Sequence, residues 1–168
     1  FEAEMHFRHG VTLEDGDCVF DVGANIGLFT LFVQRRCANA SIYAFEPIPP
    51  SFGKLSLNTA LHGIGAKLYN LALGARSGNE EFIYFPQVGA MSGRFAEGED
   101  ARRRIEEVRS MVLRHLRQQA SEVGAERPAA ITHVPVERFT CRVATLSEMI
   151  RELGIGRIDL LKIDVERS

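Results

Sequence analysis

The residues best placed to do chemistry lie in Cys18-Val19-Phe20-Asp21-Val22-Gly23-Ala24-Asn25-Ile26-Gly27. Asp21 is the one acid in a short apolar run that reads as a strand buried on both faces. Gly23 and Gly27 bracket a change of period, after which Ile26, Phe29, Phe32 and Val33 mark one stripe of a helix. A glycine turn between strand and helix lets backbone amides approach a ligand, and the helix start offers unpaired N–H groups. The dinucleotide pattern G-x-G-x-x-G is not met, because Asn25 stands where the middle glycine belongs. Asp-x-Gly-x-Asn-x-Gly instead puts a carboxylate at the strand end. It would repel a pyrophosphate and suit an amino group.

A second acid closes the next apolar run. Ser41-Ile42-Tyr43-Ala44-Phe45-Glu46 is β-prone and is stopped by Pro47-Ile48-Pro49-Pro50. Glu46 follows Gly27 by nineteen residues, the separation at which an acid on the neighbouring parallel strand accepts hydrogen bonds from ribose hydroxyls. Asp21 and Glu46 are thus expected to flank one pocket.

These residues resemble motif I and the following acidic strand end of class I S-adenosylmethionine-dependent methyltransferases. DVGANIG, then FEP, then Ile158-Asp159-Leu160-Leu161-Lys162-Ile163-Asp164-Val165-Glu166 is similar to the signature of FkbM-type methyltransferases, including those within or beside polyketide and peptide synthetase assembly lines. The resemblance implies S-adenosylmethionine as cofactor, held by Asp21, Gly23, Ala24, Asn25, Gly27, Glu46 and Pro47. It implies a strand from Ile158 to Val165 beside the first strand, with Asp164 at the reacting centre and Lys162 and Glu166 near it. The expected reaction is O-methylation of a small-molecule acceptor, free or presented by a carrier protein. A hydroxyl nucleophile needs a group to take its proton in step with transfer, and Asp164 ranks before His133 for that work. Two acids at one strand end are too few to assert a metal. A nicotinamide-dependent oxidoreductase and a non-catalytic cofactor-binding or interaction module are the alternatives; Asp21 and the missing glycine weigh against the first.

The elements that must position these groups follow from pattern. A chain of 168 residues with 45% apolar content suits a single domain of ordinary globular type, and a net charge of −2 argues against general nucleic-acid binding. The fold implied by the resemblance is an α/β, Rossmann-like class I methyltransferase sheet with helices on both faces. The chain stops where that fold ordinarily continues and starts without an initiator methionine, so a C-terminally truncated piece of a longer polypeptide is expected. Three scattered cysteines and no apolar span of about twenty residues suggest a cytoplasmic setting.

A helix is expected from a Ser51 cap to Gly63, one strand over Lys67 to Leu73, and a strand over Glu81 to Phe85 pairing antiparallel with its predecessor. Ala101, Ile105, Val108, Val112 and Leu116 stripe a helical insertion around residues 100–120, whose six arginines form either a basic lid or a solvated face. Strand chemistry resumes at Ile131 to Val136 and Phe139 to Val143. Thr145-Leu146-Ser147-Glu148 then has capping-box spacing ahead of a helix ended by Gly154. His6 and His9 sit in the leader, where surface positions are the simpler expectation.

Overall fold

The computed structural model describes residues 11–86, 89, 92–94, 98–122 and 135–165. They fall into two compact units, one within Phe1–Glu80 and Thr140–Val165, the other within Glu81–Phe139.

The first unit is built on a parallel sheet. Its strands are β1 (Cys18–Val22), β2 (Ser41–Phe45), β3 (Lys67–Tyr69) and β8 (Leu160–Ile163), in the order β3-β2-β1-β8. The register pairs Asp21 with Ala44 on one side and with Lys162 on the other. Alternate residues of β1 and β2 face opposite ways, and both faces are covered. Val19 and Ile42 pack with Phe29 and Val33 of α1 (Leu28–Arg36), and Ala44 packs with Leu55 of α2 (Pro49–Leu61). Phe20, Val22, Tyr43 and Phe45 pack with Met149 of α4 (Leu146–Leu153). Helices therefore lie on both faces of a parallel α/β sheet, as expected.

Several boundaries differ from the sequence expectation. Helix α2 begins at Pro49 with Ile48 as its N-cap, so Ser51 lies buried inside the first turn. Proline supplies the helical φ and lacks only an N–H that would be unpaired there anyway. The Lys67 to Leu73 run is two strands: β3 continues the parallel sheet, and β4 (Ala72–Leu73) pairs parallel with β7 (Glu137–Ala144). The break falls at Asn70, whose amide donates to the carbonyls of Glu46 and Pro47 at 2.9 Å each. That side chain ties the chain down just as it leaves the sheet. The final strand is shorter than Ile158 to Val165, but Asp159 anchors its approach by accepting the Cys18 N–H at 3.0 Å.

In the second unit, β5 (Gly78–Tyr84) pairs antiparallel with β6 (Gly93–Arg94). The antiparallel partner is thus the strand that follows, not the one that precedes. Helix α3 runs Glu99–Glu122, and its Ile105, Val108 and Val112 meet Ile83, Phe85 and Val136 in one cluster. On this helix the exposed Arg103 pairs with Glu107 at 3.1 Å, and the half-buried Arg109 pairs with the exposed Glu106 at 3.5 Å. Such pairs balance charge on a solvated face and contribute little to stability. His6, His9 and residues 131–134 of the strand expected over Ile131 to Val136 lie outside the described residues.

The capping box forms as its spacing predicts. Thr145 Oγ1 accepts the Glu148 N–H at 3.1 Å, and the Glu148 carboxylate accepts the Thr145 N–H at 3.0 Å. The same carboxylate accepts the Ser77 hydroxyl, and these bonds hold the Glu148 carboxyl below its usual range, Ser77 contributing most. Thr145→Ala should lower stability by about 1 kcal/mol, read as a shifted urea midpoint at unchanged slope.

Candidate functional site

The turn after β1 alternates left-handed residues: Gly23 at φ 73°, Asn25 at φ 51° and Gly27 at φ 86°. This explains the spacing. Asparagine is among the few non-glycine residues that tolerate this region, so Asn25 can occupy a position where glycine would be the default. Packing adds to this, from backbone at Gly23 and from a side-chain tip at Gly27. A Cβ at Gly23 would lie 2.2 Å from the Asp164 carbonyl oxygen, and one at Gly27 would lie 2.6 Å from Leu55 Cδ1. The glycines let β8 and α2 close against the turn.

The amides of the turn are engaged within the protein. Gly23 and Ala24 N–H both reach the Phe45 carbonyl at 3.0 Å, and Gly27 N–H reaches the Ala24 carbonyl at 2.8 Å. Asn25 N–H donates to Glu46 Oε2 at 2.9 Å, while Ile48 N–H donates to Glu46 Oε1 at 3.0 Å. The Glu46 carboxylate therefore staples the β1 turn to the segment after β2. Asn58 of α2 adds a bond at 2.7 Å to the Ile26 carbonyl. The sequence expectation of amides freely offered to a ligand holds for none of these four, because the crossover to the end of β2 engages Gly23, Ala24 and Asn25 and the turn itself engages Gly27.

Glu46 is 6% exposed, and burial pushes its carboxyl above the usual range while the Ile48 and Asn25 amides pull it partly back. Each oxygen carries one backbone donor and keeps a second acceptor position. Pro47 follows it, half-buried.

Asp21 is placed differently from expectation. It is wholly buried, with Oδ2 accepting the Thr30 hydroxyl at 2.7 Å and Oδ1 accepting Lys162 Nζ at 3.0 Å. A carboxylate in a fully covered sheet needs partners of its own, and α1 and β8 supply them. Asp21 and Glu46 stand at the ends of neighbouring strands, but Asp21 acts inside the scaffold.

Lys162 also donates to the Gly23 carbonyl at 3.0 Å and stands 3.6 Å from Asp164 Oδ2. Asp164 is the open acid of the group, its side chain 70% exposed at the carboxyl end of β8. Glu166 and His133 lie outside the described residues. Burial raises all three cysteine thiols, that of Cys141 to about 11, so none offers a thiolate at neutral pH. Among the described residues no group of three or more metal-ligating side chains occurs, and no helix is long and apolar enough to cross a membrane.

Sequence reasoning passed over Thr30, Asn58 and Asn70. Asn70 had a signal, since the strand alternation falters there. Thr30 had one too, as the single polar side chain in the run from Ile26 to Val33, whereas nothing marks Asn58 between Ser56 and Thr59.

A family model described as the methyltransferase FkbM domain matches residues 21–168, a span that begins at Asp21. The chain is 35% identical over 170 residues to the 31-O-demethyl-FK506 methyltransferase FkbM of Streptomyces tacrolimicus, covering all of this chain and 62% of that protein. It is 35% identical over 174 residues to the AMB antimetabolite synthetase AmbE of Pseudomonas aeruginosa, again across the whole chain but only 8% of that protein. With methyltransferase sdnD of Sordaria araneosa the identity is 34%, over 88% of this chain and 56% of the other. The chain thus spans less than two thirds of each of these relatives.

The packing on Gly23 generates a prediction. Gly23→Ala combines a left-handed backbone with a clash against backbone that cannot step aside, and should cost about 2 kcal/mol or more. Gly63 has a similar φ of 63° and open space around it, so Gly63→Ala should cost only about 1 kcal/mol. Urea titration of both variants checks the difference.

Proposed function

The chain belongs to the FkbM methyltransferase family, and on that premise we propose that it binds S-adenosylmethionine at the carboxyl ends of β1, β2 and β8 and methylates a hydroxyl oxygen. The observation that carries the cofactor half is Glu46: a buried carboxylate, oriented by two backbone amides, whose remaining acceptor positions match the paired hydroxyls of a ribose. That donor and acceptor set fits the nucleoside part of the cofactor. Pro47 borders the same carboxylate in the chain and Asn25 through its hydrogen bond, while the Ala24 N–H bonds to the carbonyl of the preceding Phe45. Gly23 and Gly27 shape the turn, and Asp21 supports it from within.

When bound, the cofactor supplies an activated methyl group on a sulfonium sulfur. The chain's own work is to orient and to handle a proton. Glu46 is already fixed before any ligand arrives, so little ordering is required of it on binding. Asp164, exposed at the strand end and standing 3.6 Å from the Lys162 ammonium, is the proposed proton acceptor for the acceptor hydroxyl. A carboxylate held at one position would take that proton as the oxygen forms its new bond to carbon. The likeness to a protein named as a 31-O-demethyl-FK506 methyltransferase supports oxygen as the methylated atom. The likeness to a synthetase supports a natural-product acceptor, free or tethered to a carrier protein.

Titration calorimetry with S-adenosylhomocysteine and, separately, with NAD tests the reading. Saturable binding of the first alone is the expected result; binding of NAD alone would overturn it. Glu46→Gln should weaken S-adenosylhomocysteine at least about tenfold, because an amide keeps one acceptor oxygen and turns a donor toward a backbone N–H.

The pH dependence follows from the raised Glu46 carboxyl. Its folded value lies above its unfolded value, so its contribution to stability is full at low pH and is lost as the pH rises through the folded value. Ligand affinity runs the other way, since the ionised form accepts at both oxygens. Affinity should fall as the pH drops through that raised value, at a higher pH than an ordinary glutamate would give. Glu46→Gln should lack this acid limb, which calorimetry across the range will read.

A further inference from the structure

Lys162 has three oxygen neighbours and 8% side-chain exposure. Its ammonium donates to Asp21 Oδ1 at 3.0 Å and to the Gly23 carbonyl at 3.0 Å, with Asp164 Oδ2 at 3.6 Å on the open side. The Phe29 ring lies 5.7 Å from Nζ. A buried ion pair is by itself weak evidence of a stabilising role, because an apolar pair of similar volume can fill the same space at least as well. The bond to the Gly23 carbonyl is different in kind. No apolar replacement can make it.

That carbonyl belongs to the peptide plane shared by Gly23 and Ala24. One side of the plane is held by the Lys162 ammonium, and the other by the Ala24 N–H on the Phe45 carbonyl at 3.0 Å. Gly23 sits at φ 73°, where glycine has wide torsional freedom, so the plane needs an external hold. The next amide in the chain, Asn25 N–H, orients Glu46. A tilt of the first plane passes into the second within two residues.

We infer that Lys162 is a positioning residue of the cofactor site: by clamping the Gly23–Ala24 peptide it sets the direction of the Asn25 amide and so of the Glu46 carboxylate. Asp21 holds the ammonium in place from inside the sheet. The inference rests on the reading of this turn as the S-adenosylmethionine site, and it predicts that stability and affinity separate when the charges are removed in turn.

The test uses Lys162→Met and the double variant Asp21→Asn with Lys162→Met, each compared with the wild-type chain. Three quantities are read: melting temperature, affinity for S-adenosylhomocysteine by calorimetry, and hydrogen exchange of the Ala24 and Asn25 amides without ligand. Lys162→Met leaves a buried carboxylate without its counter-ion and should melt lower. The double variant should recover much of that loss. In both, affinity should stay roughly tenfold or more below wild type and the two amides should exchange faster, since the carbonyl has lost a charge-assisted donor.

A double variant that regains wild-type affinity along with its stability would reduce Lys162 to a structural ion pair and overturn the inference. Unchanged exchange at Ala24 and Asn25 would do the same. If the wild-type chain binds no S-adenosylhomocysteine, the cofactor reading fails and the assignment to that site fails with it, while the exchange data still decide whether the clamp exists.

Discussion

A carboxylate with no access to water lies at the centre of the parallel sheet, and much of the geometry around it follows from satisfying it. Asp21 can persist there only because α1 brings the Thr30 hydroxyl to one oxygen and β8 brings the Lys162 ammonium to the other. Two consecutive elements, β1 and α1, and the distant strand β8 are thereby held to one point. The lysine that answers the charge also reaches the carbonyl of the turn. The core and the candidate site are therefore one hydrogen-bonded system.

The second carboxylate works on the same plan with backbone donors. Glu46 takes one amide from the turn after β1 and one from the start of α2, so two loops are brought into fixed relation by a single side chain. Burial resists its ionisation, and the two amides oppose that resistance. A group so held is both a structural staple and an oriented acceptor. Asp164, by contrast, is the exposed member of the trio, its side chain 70% exposed beside the Lys162 ammonium.

The glycines show how a pattern can be legible while its reason is not. Their positions are evident from the sequence, and a turn between strand and helix is the right reading. Close approach to a ligand was the expected reason; the space they free is instead taken by the Asp164 carbonyl and the Leu55 side chain. Asn25 reads in the sequence as a missing glycine. Its left-handed φ makes it a substitute for one.

What the sequence by itself determined is local. The apolar runs of β1 and β2, the stripe of α3, the Thr145 capping box and the Gly154 stop depend on residues within a turn or two of one another, and each formed where the pattern put it. Glu46 was legible from its strand end and its separation from Gly27, and the likeness of three short blocks to one methyltransferase family carried the placement of the last strand beside the first. Only the tertiary structure decided which way each acid faces. Asp21 and Lys162 are 141 residues apart, and they meet because β8 pairs with β1 in one particular register. Periodicity cannot fix that register, since β1 is buried on both faces and the apolar residues of β8 occupy its exposed and its covered positions alike. The division of the Lys67 to Leu73 run is also tertiary: the alternation only weakens at Asn70, and the run breaks because Asn70 bonds to the loop after β2 while Ala72 and Leu73 find a different partner in β7.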